Sequence, residues 1–245
     1  MAIAALKSDS SVALDENRVG GYRVLESDIY SASITHVYLT TSKGGAYALN
    51  LEAKTSEGTT FKEQLWMTSG TAKGCSPYYT DQQGNKKAIP GFTVANGLGL
   101  LTIGKEIGDI ETEEKVIKLY DYTQKKEVAT PVQMFTDLIG QEIKLGLVKQ
   151  IVDKNVKNGN GEYVPSGETR EQNVINKVFR AKDNFSVVEI VAQADEATYF
   201  QTWLDSNKGN TQDKSSKDAK PASAPAATPF PAANSAAPTT SLFNN

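Results

Sequence analysis

The chain has one cysteine, Cys75, and one histidine, His36. One cysteine excludes an internal disulfide and a cysteine-rich zinc site. One histidine excludes two-histidine metal motifs, and any histidine-based triad would have to run through His36. No apolar run approaches the roughly 20 residues that a membrane-spanning helix needs. The opening MAIAALKSDSS is too short in apolar residues for a secretory signal. The expectation is a soluble, cytoplasmic, non-membrane protein. A surplus of basic charge is also missing: 26 Lys and Arg stand against 29 Asp and Glu, a net charge of −3. Any hold on nucleic acid must then come from local patches rather than from the overall field.

At roughly 100–200 residues per domain, the 245 residues suit one large domain or two small ones. Composition shifts near Asp205. Five of the nine prolines (Pro221, Pro225, Pro229, Pro231, Pro238) lie beyond it, and large apolar residues are rare there until Phe230, Leu242 and Phe243. Such a segment buries too little apolar surface to offset its ordering entropy. Three regions are expected: a flexible arm over 1–20, a folded domain over 21–204 and a disordered tail over 205–245. The tail's charges are four Lys against three Asp, or +1, which leaves −3 − 1 = −4 for the rest.

Within the folded region, ESDIYSASITHVYL, AYALNLEAK and FKEQLWM alternate apolar and polar residues. Gly-containing turns join them, which predicts an antiparallel meander of three strands. Phe61, Leu65 and Met67 share one face of the third strand, with Lys62 and Trp66 opposite. Residues 68–91 are glycine-rich and polar and predict a long, functional or mobile loop. FTVANGLGLLTIG (92–104) predicts a packed helix, and EKVIKLYDY (114–122) a strand or extended connection. Pro131 with VQMFTDLIG predicts a short helix closed by Gly140. EIKLGLVKQIVDK (142–154) predicts a long strand with Ile143, Leu145 and Leu147 inward. NVKNGNGEYVPSGE predicts a loop and NVINKVFR (173–180) a last strand. Ser186 and Glu189 form a capping box before a helical run that reaches Trp203 and Leu204. The sum is a mainly β protein: a five-stranded Greek-key barrel of the OB type with inserted helices and a C-terminal helix. A β-sandwich with inserted helices competes.

Most chemical motifs fail on inspection. Gly99 to Lys105 spells G-x-x-x-x-G-K, but Glu106 follows where a phosphate loop needs Ser or Thr, and the intervening residues are bulky and apolar. A buried helix with a glycine end accounts for it. His36 has no evident orienting partner for general-base work. Cys75 has no neighbouring Cys or His. Glu111, Glu113 and Glu114 form a solvated acidic run. A carboxylate-based, metal-dependent nuclease would need a paired acidic motif on strands, and none stands out. Asn184-Phe185-Ser186 is a glycosylation sequon in spelling only. No cofactor and no enzymatic activity are expected.

What does recur is aromatic plus lysine on loops and outward strand faces. Lys62 and Trp66 share one face. Tyr78 and Tyr79 accompany Lys73, Lys86 and Lys87 in the long loop, and Lys118 and Tyr120 share another face. Single-strand binders use cations along phosphates and aromatic rings under bases, at about 1–3 kcal/mol per base. Core-filling aromatics and solvating lysines would have the same composition. The segments YSASITHVYL, FKEQLWMTSGTAKG, KKAIPGF, EEKVIKLYDY, TDLIGQEIKLGLVKQ and SGETREQNVINKVF, between Ser27 and Phe179, resemble bacteriophage single-stranded DNA-binding proteins of the OB-fold type. The resemblance implies a non-catalytic protein that coats single-stranded DNA in phage replication and recombination. It also implies a C-terminal tail that contacts replication or recombination proteins, here through Leu242 and Phe243. The family's tails are strongly acidic and end in Phe; this one is +1 and ends Phe243-Asn244-Asn245. The alternative is an adaptor that binds another protein on a β-barrel scaffold.

Overall fold

The computed structural model describes residues 24–121, 124–159 and 162–216. The described residues form two compact units: one holds 24–151 and 171–214, the other 152–170 and 215–216. The arm at 1–20 and the tail from residue 217, with Leu242 and Phe243, lie outside the described residues.

In the first unit the expected meander is present. Strand β1 (Asp28–Thr41) pairs antiparallel with β2 (Tyr47–Thr55), and β2 with β3 (Thr60–Trp66). Alternation sets the burial. Ile34, Val37, Leu49, Leu51, Phe61 and Leu65 point into one apolar core. The register of β1 slips between Ile34 and His36, the signature of a bulge at Thr35. A bulge adds a residue, bends the strand and raises its twist. After β3 the chain makes a small hairpin, β4 (Tyr78–Thr80) with β5 (Lys86–Ala88), and then helix α1 (Pro90–Thr102). Strands β6 (Glu113–Asp121) and β7 (Lys126–Met134) form a second hairpin, followed by β8 (Glu142–Lys157) and β9 (Tyr163–Arg180). On the edge of β1 away from β2, Asp28–Ser33 pair with β8, while Tyr38 and Leu39 pair with β7. Where those partners change over, Ile34 bonds Gln141 O and Gly140 N.

Helix α1 covers the core with Val94, Ala95, Leu98 and Leu101. Its first turn presses on β3: a Cβ on Gly91 would lie 2.2 Å from the Trp66 carbonyl oxygen. Its end is a glycine stop. Gly104 has φ +74°, and its N–H donates to Gly99 O at 3.0 Å. The G-x-x-x-x-G-K spelling is therefore a helix C-terminus, with a left-handed glycine just past the last turn.

The opposite side of the β8–β9 layer carries a second apolar cluster. Helix α2 (Val187–Val191) begins at Ser186, where the expected capping box with Glu189 is formed. Helix α3 (Thr198–Asn207) lays Trp203 against Val148 and Phe179. Strand β10 (Thr211–Asp213) then adds parallel to β8. In the second unit, Lys154 and Glu168 pair at 2.8 Å and the Asp153 carboxylate accepts from the Ser216 N–H.

Several expectations need correction. Ten strands are described rather than five, and the eight-stranded sheet that holds most of them is not closed. The segment after Pro131 is the end of β7 and a 3-10 turn at Thr136–Leu138, not an α-helix. Val132 and Met134 alternate inward, and a proline is tolerated on a strand with a largely unpartnered edge. The 155–168 segment is mostly strand: residues 155–157 end β8 and residues 163–168 begin β9. The loop at 68–91 contains β4 and β5. The single helical run after Ser186 is two helices, broken where Gln193 takes φ 52°. The Glu189 Oε1 atom accepts from the Tyr199 N–H at 2.8 Å and joins them. Order also continues past Asp205, through the end of α3 and β10.

Candidate nucleic-acid interface

The outward face of the meander is built from three cross-strand rows. Register places His36 opposite Glu52 and Glu52 opposite Lys62. The next row is Tyr38, Asn50, Gln64, and the third is Thr40, Ala48, Trp66. Directly opposed side chains on a sheet face interact, and these do. The Lys62 ammonium sits 2.8 Å from Glu52, with His36 Nδ1 at 3.7 Å from the same carboxylate. The Gln64 amide donates to Asn50 Oδ1 at 3.0 Å, and the Asn50 amide to Thr40 Oγ1 at 2.8 Å. Hydrogen bonding thus holds the amide row in place between a charged row and an aromatic one. Burial raises the pKa of the Tyr38 hydroxyl; Lys62 opposes this and Glu52 adds to it.

Two grooves meet on β3. The first, of about 530 Å³, lies between these rows and Ile117, Lys118 and Leu119 of β6. The second, of about 880 Å³, lies between β3 on one side and Val174–Val178 of β9 on the other, with α1 along it. Trp66, Tyr78 and Phe92 line it. Tyr78 meets Phe92 edge to face at 5.9 Å, and Lys86 Nζ stands 4.4 Å above the Tyr78 ring. Glu63 and Gln64 line both grooves. Strands β3 and β9 end separate branches of the sheet. Across that gap the Ile175 N–H donates to Glu63 Oε2 at 2.7 Å. Burial drives the Glu63 pKa up to about 7, against the lowering effect of the Ile175 N–H.

The structure brings together part of the expected set. Lys62 and Lys118 line the first groove; Trp66 and Tyr78 line the second, with Lys86 over Tyr78. Lys73, Tyr79, Lys87 and Tyr120 are exposed but line neither groove. Strand alternation turns Tyr79 away from Tyr78. Lys87 pairs with Asp81 at 2.8 Å and holds that carboxyl below its usual range. Sequence reasoning missed Phe92, Lys177, Tyr38 and above all Glu63. The signal for Glu63 was there: a carboxylate between Phe61 and Leu65 on the inward side of a strand.

Among the described residues, no group of three or more His, Cys, Asp or Glu side chains stands close enough to hold a metal ion. No helix among them is long and apolar enough to cross a membrane. Protein-family models and curated proteins alike return no match to this chain.

Proposed function

We propose that the protein binds single-stranded DNA without strong sequence preference and without cleaving it. The strand crosses the meander face through the first groove, passes Gln64 and enters the second beside Trp66. The observation that carries this reading is the shared floor. Two grooves join at Glu63 and Gln64, and the lysines and aromatic rings that single-strand recognition needs are spread along both. Lys62, Lys118 and Lys86 serve phosphates, while Trp66 and Tyr78 serve bases. Exposed aromatics on a sheet face are suited to this work, because every base has a π-face.

The strand order supports an OB-type barrel in which β1, β2, β3, β8 and β9 are the five strands and α1 lies between the third and fourth. The gap between β3 and β9 is its open seam. A role in phage replication and recombination goes with this reading.

Fluorescence anisotropy of a labelled oligo-dT, with duplex as competitor, tests it. Binding that duplex does not displace is expected. Three phosphate contacts imply a slope of log K against log salt of about −2 for a single strand. Affinity that is flat in salt contradicts the phosphate contacts, and no binding at low salt removes nucleic acid from the account.

The adaptor reading has one observation in its favour. Val188 and Val191 on α2 are 66% and 77% exposed, and Val188 also lines the second groove. Charge reversal of Lys62 and Lys86 separates the two readings: it abolishes DNA binding under the first and leaves a protein partner bound under the second.

A further inference from the structure

Strand alternation gives Glu63 an inward position, in a row with Phe61, Leu65 and Met67. A carboxylate in an apolar row is costly unless it is hydrogen-bonded. Here one oxygen, Oε2, accepts from the Ile175 N–H, and among the described residues Oε1 has no hydrogen-bond partner. Among the described residues no buried side-chain nitrogen or oxygen is left without a partner, so Oε1 is not sealed from solvent, and Glu63 lines both grooves. Of the neighbouring amides, Gln64 donates to Asn50 Oδ1, and the Asn176 oxygen accepts from the Trp203 indole N–H at 2.7 Å.

We infer that Glu63 is a specificity-determining residue that favours guanine at one position of an otherwise sequence-tolerant site. This rests on the single-strand reading above. An ionised carboxylate offers acceptors only, so its complement is a group with two adjacent donors. Guanine presents its ring N1–H and exocyclic N2 amino group side by side. Thymine presents one N–H between two carbonyl oxygens that repel a carboxylate. Cytosine and adenine present an amino group beside a ring nitrogen acceptor. The second groove, at about 880 Å³, is large enough for a purine. The charged and titratable groups around the junction are His36 and Tyr38 from β1, Glu52 from β2, Lys62 from β3, Tyr78 from β4, Lys118 from β6 and Lys177 from β9. Glu52 and Gln64 also carry acceptors, so the analogue lacking the N2 amino group reads the contact to that group, and Glu63→Gln assigns it to Glu63.

The test uses the full chain and three labelled strands of roughly 15 nucleotides: oligo-dT, oligo-dT with isolated guanines, and the same strand with hypoxanthine in place of guanine. At about pH 8 the guanine strand binds about tenfold tighter than the hypoxanthine strand, the scale of one hydrogen bond to a charged group. At about pH 6, where Glu63 holds its proton, the difference shrinks several-fold in the wild-type chain. Glu63→Gln brings the two strands to equal affinity. Equal affinities at pH 8 in the wild type, or a guanine preference that survives Glu63→Gln, overturns the inference and leaves the single-strand reading standing. Failure of all three strands to bind overturns that reading itself.

Discussion

The chain has two tryptophans, and they occupy opposite situations in the first unit. Trp203 is 2% exposed. Phe179 and Phe200 pack around it, and its indole N–H donates to Asn176. Trp66 is 43% exposed, at the end of a row of polar side chains, and lines an open groove. The side of the β8–β9 layer beneath α3 is closed by a helix, whereas the outward face of β1–β2–β3 is covered only in part, by β6. The same residue type seals one surface and leaves the other available for a ligand. A closed aromatic cluster contributes stability, and under the single-strand proposal an open one contributes recognition.

The largest expected effect tests the closed side. Trp203→Ala removes a fully buried ring and lowers unfolding free energy by about 3–5 kcal/mol, as urea titration would read it. Trp66→Ala changes stability by less than about 1 kcal/mol, as an exposed site does, but weakens oligo-dT binding by about 1–3 kcal/mol. If Trp66→Ala unfolds the chain, or leaves binding intact, the contrast between the two sides fails.

The next effect concerns the seam. Unfolded, Glu63 ionises near the ordinary glutamate value of 4.5; folded, it holds its proton up to about 7. Between those values the folded chain binds more protons than the unfolded one, so stability falls as pH rises. The contribution is complete below about 4.5 and lost by about 7, a change of about 3 kcal/mol at most. Urea midpoints across that window should fall in the wild type and flatten in Glu63→Gln.

Gly91→Ala comes third. Its methyl would meet the Trp66 carbonyl at 2.2 Å, so α1 must shift away from β3. Overpacking of this kind costs about 1–3 kcal/mol. It also moves a wall of the open groove, so the melting temperature and DNA affinity both drop.

The smallest effect separates two adjacent lysines. Lys86 stands over Tyr78, while Lys87 is held by Asp81. Lys86→Ala should reduce oligo-dT affinity several-fold, and Lys87→Ala by less than about twofold, as a surface residue outside the grooves would.

Periodicity made the meander legible, because one buried face per strand enforces strict alternation. Lys62 and Trp66 were placed on the outward face for the same reason. The helix at 90–102 was legible despite its glycines, since Val94, Leu98 and Leu101 recur at helical spacing. The strand at 126–134 was not: Pro131 and the following Gly140 mimic helix punctuation, and only pairing with β6 and β1 shows otherwise. The grooves were beyond reach for a different reason. They depend on β6 approaching β3 and on a gap between β3 and β9, separations of fifty residues or more that no local pattern encodes. Tyr79, Lys73 and Lys87 were grouped with the site on residue type alone, and residue type does not tell which side of a short strand faces a groove; Tyr120 was grouped by the face it shares with Lys118, but it does not line the groove that Lys118 lines.

The most direct measurement follows intrinsic tryptophan fluorescence during titration with oligo-dT. With two tryptophans, one open and one sealed, each signal has one source. Stacking of a base on Trp66 predicts quenching that saturates with binding and disappears in Trp66→Phe, while Trp203→Phe retains it. Binding with no change in fluorescence, or quenching that survives Trp66→Phe, would contradict the assignment of the open face as the DNA-binding surface.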